Sequence, residues 1–334
     1  MSDPTARPAP ESSPEHGTPP RAVTLADVAA RAGVSKAAAS KALNNRDDVS
    51  AATRTRVLAA ASELGYTKPT AHRPAPLQTI ALVLADLHSV YALDIINGAT
   101  TAAMGTGTSV AVSRRQREDE GTDLAPLSPT WFTQMRSRGC IGCVVATVEL
   151  SASQVAAARH AGIPLVVIDP IGHVHEGTAS IGATNWNGGV QATEHLVNLG
   201  HERIAIINGI ASSVPAQERL RGILSAMRAH GLTPDKRLVH TGLYVYETGF
   251  AGGTRWFSLP PELRPTAVIA GSDACAMGVY EAARRAGLRV PEDVSVVGFD
   301  DSEIASWASP RLTTVRQPLA RMGAEAVKIG RAHV

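Results

Sequence analysis

Residues 23–66 read VTLADVAARAGVSKAAASKALNNRDDVSAATRTRVLAAASELGY, and their punctuation decides the first part of the fold. Thr24 precedes Leu25, Val28 and Ala29, with Asp27 in the first turn, which is the pattern of an N-cap followed by an acidic start. Gly33 ends that helix, because a glycine past the last turn takes left-handed backbone at little cost. Ser35 caps a second helix running to about Leu43, where Asn44 and Asn45 stop it. Ser50 starts a third, with Val57, Leu58, Ala61 and Leu64 as its expected apolar stripe and Gly65 at its end. Two short helices around a glycine turn make a helix-turn-helix, and that points to DNA.

The second helix is small and apolar apart from Ser35, Lys36, Ser40 and Lys41. Small residues allow close approach to a groove, and Lys36, Ala37 and Lys41 lie where base contacts concentrate. A solvated alanine-rich surface helix would look the same in isolation; the capped three-helix frame is what favours the DNA reading. Charge agrees with it. Between Arg21 and Arg73 there are nine basic and four acidic residues, a balance of +5, while the whole chain carries only +2, leaving −3 for the rest. Basic charge gathered on one small segment is the footprint of a polyanion partner.

The segment resembles the DNA-binding head of the lactose/galactose repressor (LacI/GalR) family. The matching residues are Val23-Thr24-Leu25, Asp27-Val28-Ala29, Ala32-Gly33-Val34-Ser35, Ser40, Leu43-Asn44, Val49-Ser50, Thr53-Arg54 and Leu64-Gly65-Tyr66. The resemblance implies that Lys36, Ala37 and Lys41 read the major groove, while Thr24, Ser35, Ser40, Asn44 and Arg54 hold phosphates, which set register without carrying sequence information.

A chain of 334 residues with 44% hydrophobic content has ample material for a head plus larger domains. Residues 1–20 are rich in Pro, Ser and Glu and read as a disordered tail. No apolar leader or long hydrophobic run is found, so secretion and membrane insertion are not expected, and a cytoplasmic location is. The spacing Cys140-Ile141-Gly142-Cys143 suits redox or zinc chemistry, but it lies in an apolar run without a second pair, so buried strand cysteines are expected. With Cys275 the count is three, which fits a reducing compartment.

From residue 79 short apolar runs alternate with helical segments. Expected strands at 80–84, 109–112, 141–146 and 165–168 are followed, after Asp169, by a second series at 180–183, 204–207, 267–270 and 295–298. Such alternation without tight hairpins implies parallel sheets. Two series make two lobes with a cleft between them, and in open parallel sheets ligands sit beyond the carboxyl ends of the strands. The fold expected is therefore α/β: an all-α helix-turn-helix head followed by a two-lobed parallel-sheet body.

This body also resembles the family's effector domain, which shares the fold of periplasmic sugar-binding proteins. AGIPLVVID (161–169), LGHERI (199–204), RLRG (219–222), GLRVPEDVSVVGFDD (287–301) and LTTVRQP (312–318) carry the match. Asp169, Asp273 and Asp300 each follow or end a strand, and Arg219 lies early on a helix. Carboxylates accept from neighbouring hydroxyls and arginine's fork donates to two oxygens, a chemistry suited to sugars. The resemblance implies effector contact at Asp169, Arg219 and Asp300; Asp169 or Asp273 capping the next helix is the alternative. Tyr91 and Trp307 are candidates for stacking on a sugar ring or for plain core positions.

Enzyme motifs are absent: there is no P-loop, GxSxG elbow or HExxH, and Gly105-Thr106-Gly107 follows a helix and reads as its stop. His173 and His175 lack partners nearby in sequence and read as solvated. No cofactor or metal is expected. The function expected is that of a homodimeric transcriptional regulator, a repressor, whose affinity for double-stranded operator DNA follows a carbohydrate effector. The rival classes are a solute-binding protein or an enzyme of the same lobed fold without a DNA role.

The expected organisation is a tail (1–20), head (21–66), linker (67–78) and effector and dimerisation body (79–327), with lobe 1 at 79–169 plus 301–317 and lobe 2 at 170–300 plus 318–327. In the linker, Pro74 and Pro76 disfavour the hinge helix usual in relatives, so that helix is expected to be absent or reduced to a turn and operator bending weakened. Residues 328–334 read as a non-native tail: Gly330 breaks the helical pattern and the segment resembles a translated sequencing adapter. A truncated second lobe and poor solubility are the corresponding expectations.

Overall fold

The computed structural model describes residues 23–46, 48–66, 78–115 and 125–332; the expectations for the tail and the linker lie outside them. The chain divides into two compact units, Met1–Ala75 and Pro76–Val334.

The first unit is the three-helix head: α1 (Leu25–Ala32), α2 (Lys36–Leu43) and α3 (Ala51–Glu63). Thr24 and Asp27 form a reciprocal capping box, the Asp27 amide donating to Thr24 Oγ1 at 3.4 Å and the Thr24 amide to Asp27 Oδ2 at 2.8 Å. Gly33 takes φ 64° and so turns the chain from α1 into the Ser35 cap of α2. The core is built from Val28, Ala29, Ala32, Ala39, Ala42, Val57, Ala60 and Ala61. The stripe expected on α3 is corrected by one position: Ala60 is buried and Leu58 is 51% exposed. The helix's inward face follows Val57, Ala60, Ala61 and Leu64, the i, i+3, i+4, i+7 series, and Leu58 falls beside it.

The second unit holds two five-stranded parallel sheets. The first has the order β2-β1-β3-β4-β5, with β1 (Gln78–Leu84), β2 (Thr108–Arg114), β3 (Cys140–Ala146), β4 (Leu165–Ile168) and β5 (Ala179–Ile181). The second has the order β10-β9-β8-β6-β7, with β6 (Ile204–Asn208), β7 (Val239–Thr241), β8 (Ala267–Ala270), β9 (Ser295–Asp300) and β10 (Thr313–Arg316). Both faces of the first sheet are covered. Ile80, Leu82 and Leu84 of β1 pack on one side with α4 (Val90–Ala103) and α12 (Leu319–Ala332). Ala81 and Val83 pack on the other with Trp131 and Phe132 of α5 (Pro129–Ser137) and Val155 and Ala158 of α6 (Ala152–His160). Each large side chain so buried contributes about 1.5–3 kcal/mol. Cys140, Cys143 and Cys275 are buried free thiols, and burial pushes all three above the usual thiol range.

Lobe membership differs from expectation at three places. The strand near Ser180 pairs in parallel with β4, so it closes the first sheet and does not open the second. Residues 301–317, expected in lobe 1, supply β10, which pairs with β9 because Leu312 and Val315 pack into the second lobe's clusters. Residues 318–327, expected in lobe 2, begin α12, whose stripe Leu319, Met322, Ala326 and Val327 packs into the first lobe's core. The chain thus returns to lobe 1 at Gln317-Pro318. The break expected at Gly330 is absent: α12 runs through it to Ala332, and it packs so closely on β3 that a Cβ on Gly142 would stand 3.1 Å from the Gly330 carbonyl oxygen.

Candidate functional site

Strand ends of both sheets meet at a buried charged cleft. Asp169 directly follows β4 and Asp300 ends β9, and both hold positive φ, 47° and 123°. Non-glycine residues pay about 1–3 kcal/mol for such backbone, and strain of this kind concentrates at ligand sites. The Asp169 amide donates to the Ile181 carbonyl at 2.9 Å, and the Gln317 amide donates to the Asp300 carbonyl at 3.1 Å, so sheet neighbours hold both conformations.

Arg219 supplies the cation. It sits in the second turn of α8 (Val214–Ala229), which crosses α7 (Asn185–Asn198) at very close range. A Cβ at Gly189 would meet the Arg219 carbonyl, and one at Gly222 would meet the Trp186 carbonyl; only glycines permit this crossing. Close crossing places Arg219 beside Asn185, whose Oδ1 accepts from Nη2 at 2.7 Å, while Nη1 donates to the Gly271 carbonyl. The guanidinium carbon stands 3.4 Å from the Phe299 ring centroid and 5.2 Å from that of Tyr244, so aromatic faces fix its plane.

Tyr91 of α4 donates to Asp169 Oδ2 at 2.8 Å. Burial pushes the Asp169 carboxyl up to about 6, against the lowering pull of the Tyr91 hydrogen bond and of Arg219. Burial likewise raises Asp300 to about 7, with Arg219 and Gln317 holding it down and Asp273 and Asp169 adding repulsion. Gln317 Nε2 donates to Asp300 Oδ1 at 2.6 Å. Four buried polar atoms here lack a hydrogen-bond partner among the described residues: Asp169 Oδ1, Arg219 Nε, Tyr244 Oη and Gln317 Oε1. Two acceptors, a donor and a hydroxyl left dry in one cleft are what a polar ligand would satisfy.

Of the residues selected from sequence, Tyr91, Asp169, Arg219 and Asp300 come together. Asp273 is fully buried and occupied: it accepts from the Ser302 amide and hydroxyl at 2.8 Å each and from Thr314 Oγ1 at 2.5 Å. It braces the turn after β9 and does not cap the helix that follows it, whose N-cap is Ser272, accepting from the Cys275 amide at 3.2 Å. Trp307 stands 68% exposed on α11 (Glu303–Trp307) and is not among the residues around Arg219. Sequence reasoning missed Asn185, Tyr244, Phe299 and Gln317. Phe299 and Gln317 lay inside the quoted motifs GLRVPEDVSVVGFDD and LTTVRQP; Asn185 and Tyr244 had no local signal. His175 is no solvated ligand but bonds the Leu150 carbonyl at 2.9 Å, and no metal-holding cluster is found among the described residues.

On the head, Lys36, Ala37 and Lys41 are exposed on α2, with Ala37 and Lys41 one turn apart on one ridge. Lys41 Nζ pairs with Asp48 Oδ2 at 2.6 Å. Thr24 and Ser35 serve as N-caps, and Asn44 Nδ2 donates to the Ser40 carbonyl at 2.8 Å. Arg54 Nη2 donates to the Arg46 carbonyl at 2.6 Å, tying α3 to the loop after α2.

A helix-turn-helix unit carried on the same chain as a unit with a charged interlobe cleft defines a ligand-controlled DNA-binding regulator. Residues 24–68 match the bacterial regulatory proteins of the lacI family, and residues 193–332 match the periplasmic binding protein-like domain. The chain is 34% identical over 318 residues to the HTH-type transcriptional regulator MalR of Streptomyces coelicolor, covering 91% of this chain and 88% of that one. It is 31% identical over 312 residues to the ribose operon repressor of Escherichia coli K12, covering 92% and 91%. Among solved structures, the transcriptional regulator CelR in complex with cellobiose superposes with a TM-score of 0.66 at 31% identity, covering 92% of this chain and 91% of that chain. The lac repressor dimer bound to operator and the anti-inducer ONPF does so with a TM-score of 0.68 at 28% identity, covering 94% of each chain. The chain belongs to the LacI family, and it is a DNA-binding transcriptional regulator.

Proposed function

We propose that this regulator is a homodimeric repressor in the cytoplasm, without catalytic activity, whose operator affinity is set by a sugar held between the lobes. The cleft carries the reading: Asp169 Oδ1 and Gln317 Oε1 accept and Arg219 Nε donates, all buried and unpartnered, beside the Phe299 and Tyr244 rings. Adjacent hydroxyls offer both a donor and an acceptor at each carbon, and a ring's CH face suits an aromatic. Relatives named for ribose and a structure named for cellobiose support this ligand class. Asp169, Arg219 and Asp300 are its main polar contacts, with Tyr91 orienting Asp169. Asp273 and Trp307 are left outside this set.

In the head, Lys36, Ala37 and Lys41 face base edges, while Thr24, Ser35, Ser40, Asn44 and Arg54 serve the phosphates. Ligand between lobes joined at residues 182–184 and at Gln317-Pro318 favours one lobe arrangement over another, and operator affinity follows by linkage. The test is thermal unfolding against a panel of mono- and disaccharides with nucleosides alongside. A saccharide at about 100 times its Kd adds about 2.7 kcal/mol of stability. The same saccharide is expected to change binding to an operator duplex selected in vitro. Stabilisation by nucleosides alone would refute the sugar assignment.

A further inference from the structure

Among the described residues, the Lys41–Asp48 pair is the one ion pair that engages a residue assigned to base readout. Its partners are 54% and 58% exposed, so its direct contribution to folding is small. Its placement is more telling than its strength. Asp48 lies in the loop between α2 and α3, and that loop is anchored on both flanks. On one side the Arg46 amide donates to the Lys41 carbonyl at 3.1 Å and the Arg46 carbonyl accepts from Arg54. On the other, Val49 packs on the head core and Ser50 caps α3. These contacts flank Asp48, and its own acidity is strengthened by the hydrogen bond from Lys41.

An acid at a DNA-facing surface weakens binding to every sequence, because it repels phosphates. Its presence calls for a compensating role. We infer that Asp48 is a positioning residue for sequence readout: it holds the Lys41 ammonium on the outward face of α2, so that base edges and not phosphates take its remaining donors. The inference rests on the reading of Lys41 as a base contact. An ammonium has three donors; one is held by Asp48 and two remain. Guanine presents two adjacent acceptors, O6 and N7, in the major groove, so the ammonium can engage both without leaving Asp48. Reaching a phosphate means abandoning Asp48. Operator binding thus keeps the pair, and nonspecific binding must break it or forgo a phosphate contact.

The test uses the full chain with an operator duplex selected by the wild-type protein and a random duplex of equal length. Asp48→Asn is expected to tighten binding to the random duplex about fivefold, the scale of a released surface pair. It should also steepen the random duplex's salt slope by about 0.9, one added phosphate contact. Operator affinity should stay within about twofold, so discrimination falls. Asp48→Glu should restore discrimination. In a Lys41→Ala background the effect of Asp48→Asn on discrimination should vanish, as coupling through one contact requires. Equal tightening on both duplexes, or an undiminished effect without Lys41, would show Asp48 to be only a repulsive charge and overturn the inference. If Lys41→Ala alone left discrimination intact, the base-reading assignment itself would fall, a result separable from the first.

Discussion

In the head, Lys36 and Lys41 are exposed on an alanine-backed helix, and the charge of Lys41 is paired at the surface with Asp48. In the cleft, Arg219 and Asp169 are buried and Asp300 is half-buried, and aromatic rings and a backbone carbonyl fix the guanidinium. Exposed charge is screened by ions, so the head should respond to salt. Buried charge is desolvated, so the cleft should respond to pH, as the raised Asp169 and Asp300 carboxyls indicate. One molecule thus carries two electrostatic regimes, and variants can separate them.

The largest effect is expected at Arg219. Arg219→Ala strips the one cation that, among the described residues, stands beside the Asp169 and Asp300 carboxylates, and should cost about 3–5 kcal/mol of stability, with loss of saccharide response. Thermal unfolding with and without ligand measures both; an unchanged melting temperature would mean that the cleft charges are solvated. Next comes pH. Asp169 at about 6 and Asp300 at about 7 lie above the ordinary 3.8, so between those values the folded chain holds protons that the unfolded chain has released. Stability contributed by these groups is therefore greatest in acid and declines as pH rises through the window. Asp300→Asn should flatten that decline, read as melting temperature across pH 5 to 8. Lys41→Ala should lower operator discrimination by about 1–3 kcal/mol with no pH dependence in the same range. The smallest effect is expected for Arg54→Ala: a salt slope shallower by about 0.9 on all sequences, with a further loss in head stability from the freed Arg46 carbonyl. Equal pH sensitivity of head and cleft variants would break the comparison.

Local signals made the head legible. Thr24, Ser35 and Ser50 cap their helices as their residue types suggest, and Gly33 turns where a glycine must. The cleft was only half legible. Asp169 and Asp300 follow from strand-end logic, but Asn185 and Tyr244 reach Arg219 from distant segments, and no window contains them together. Helix α9 (Tyr246–Phe257) escaped sequence reading because Gly249, Gly252 and Gly253 look like loop; they are buried where the helix presses on α10 (Asp273–Arg285) and the second sheet. Lobe membership failed at the last crossing because β10 and α12 are both ordinary in local pattern. Only the packing of Leu312 and Leu319 into different cores separates them.

That crossing has a consequence for how the molecule is made. The second lobe's strands and helices, from α7 to β10, lie on one continuous run of chain and can assemble as synthesis passes them. The first lobe's sheet is translated earlier, yet the face carrying Ile80, Leu82 and Leu84 waits for α12 at residues 319–332. Its closure joins segments more than two hundred residues apart, a high-contact-order step. On the ribosome, then, the lobe that emerges first finishes last, and its open apolar face is where a chaperone would bind a nascent chain.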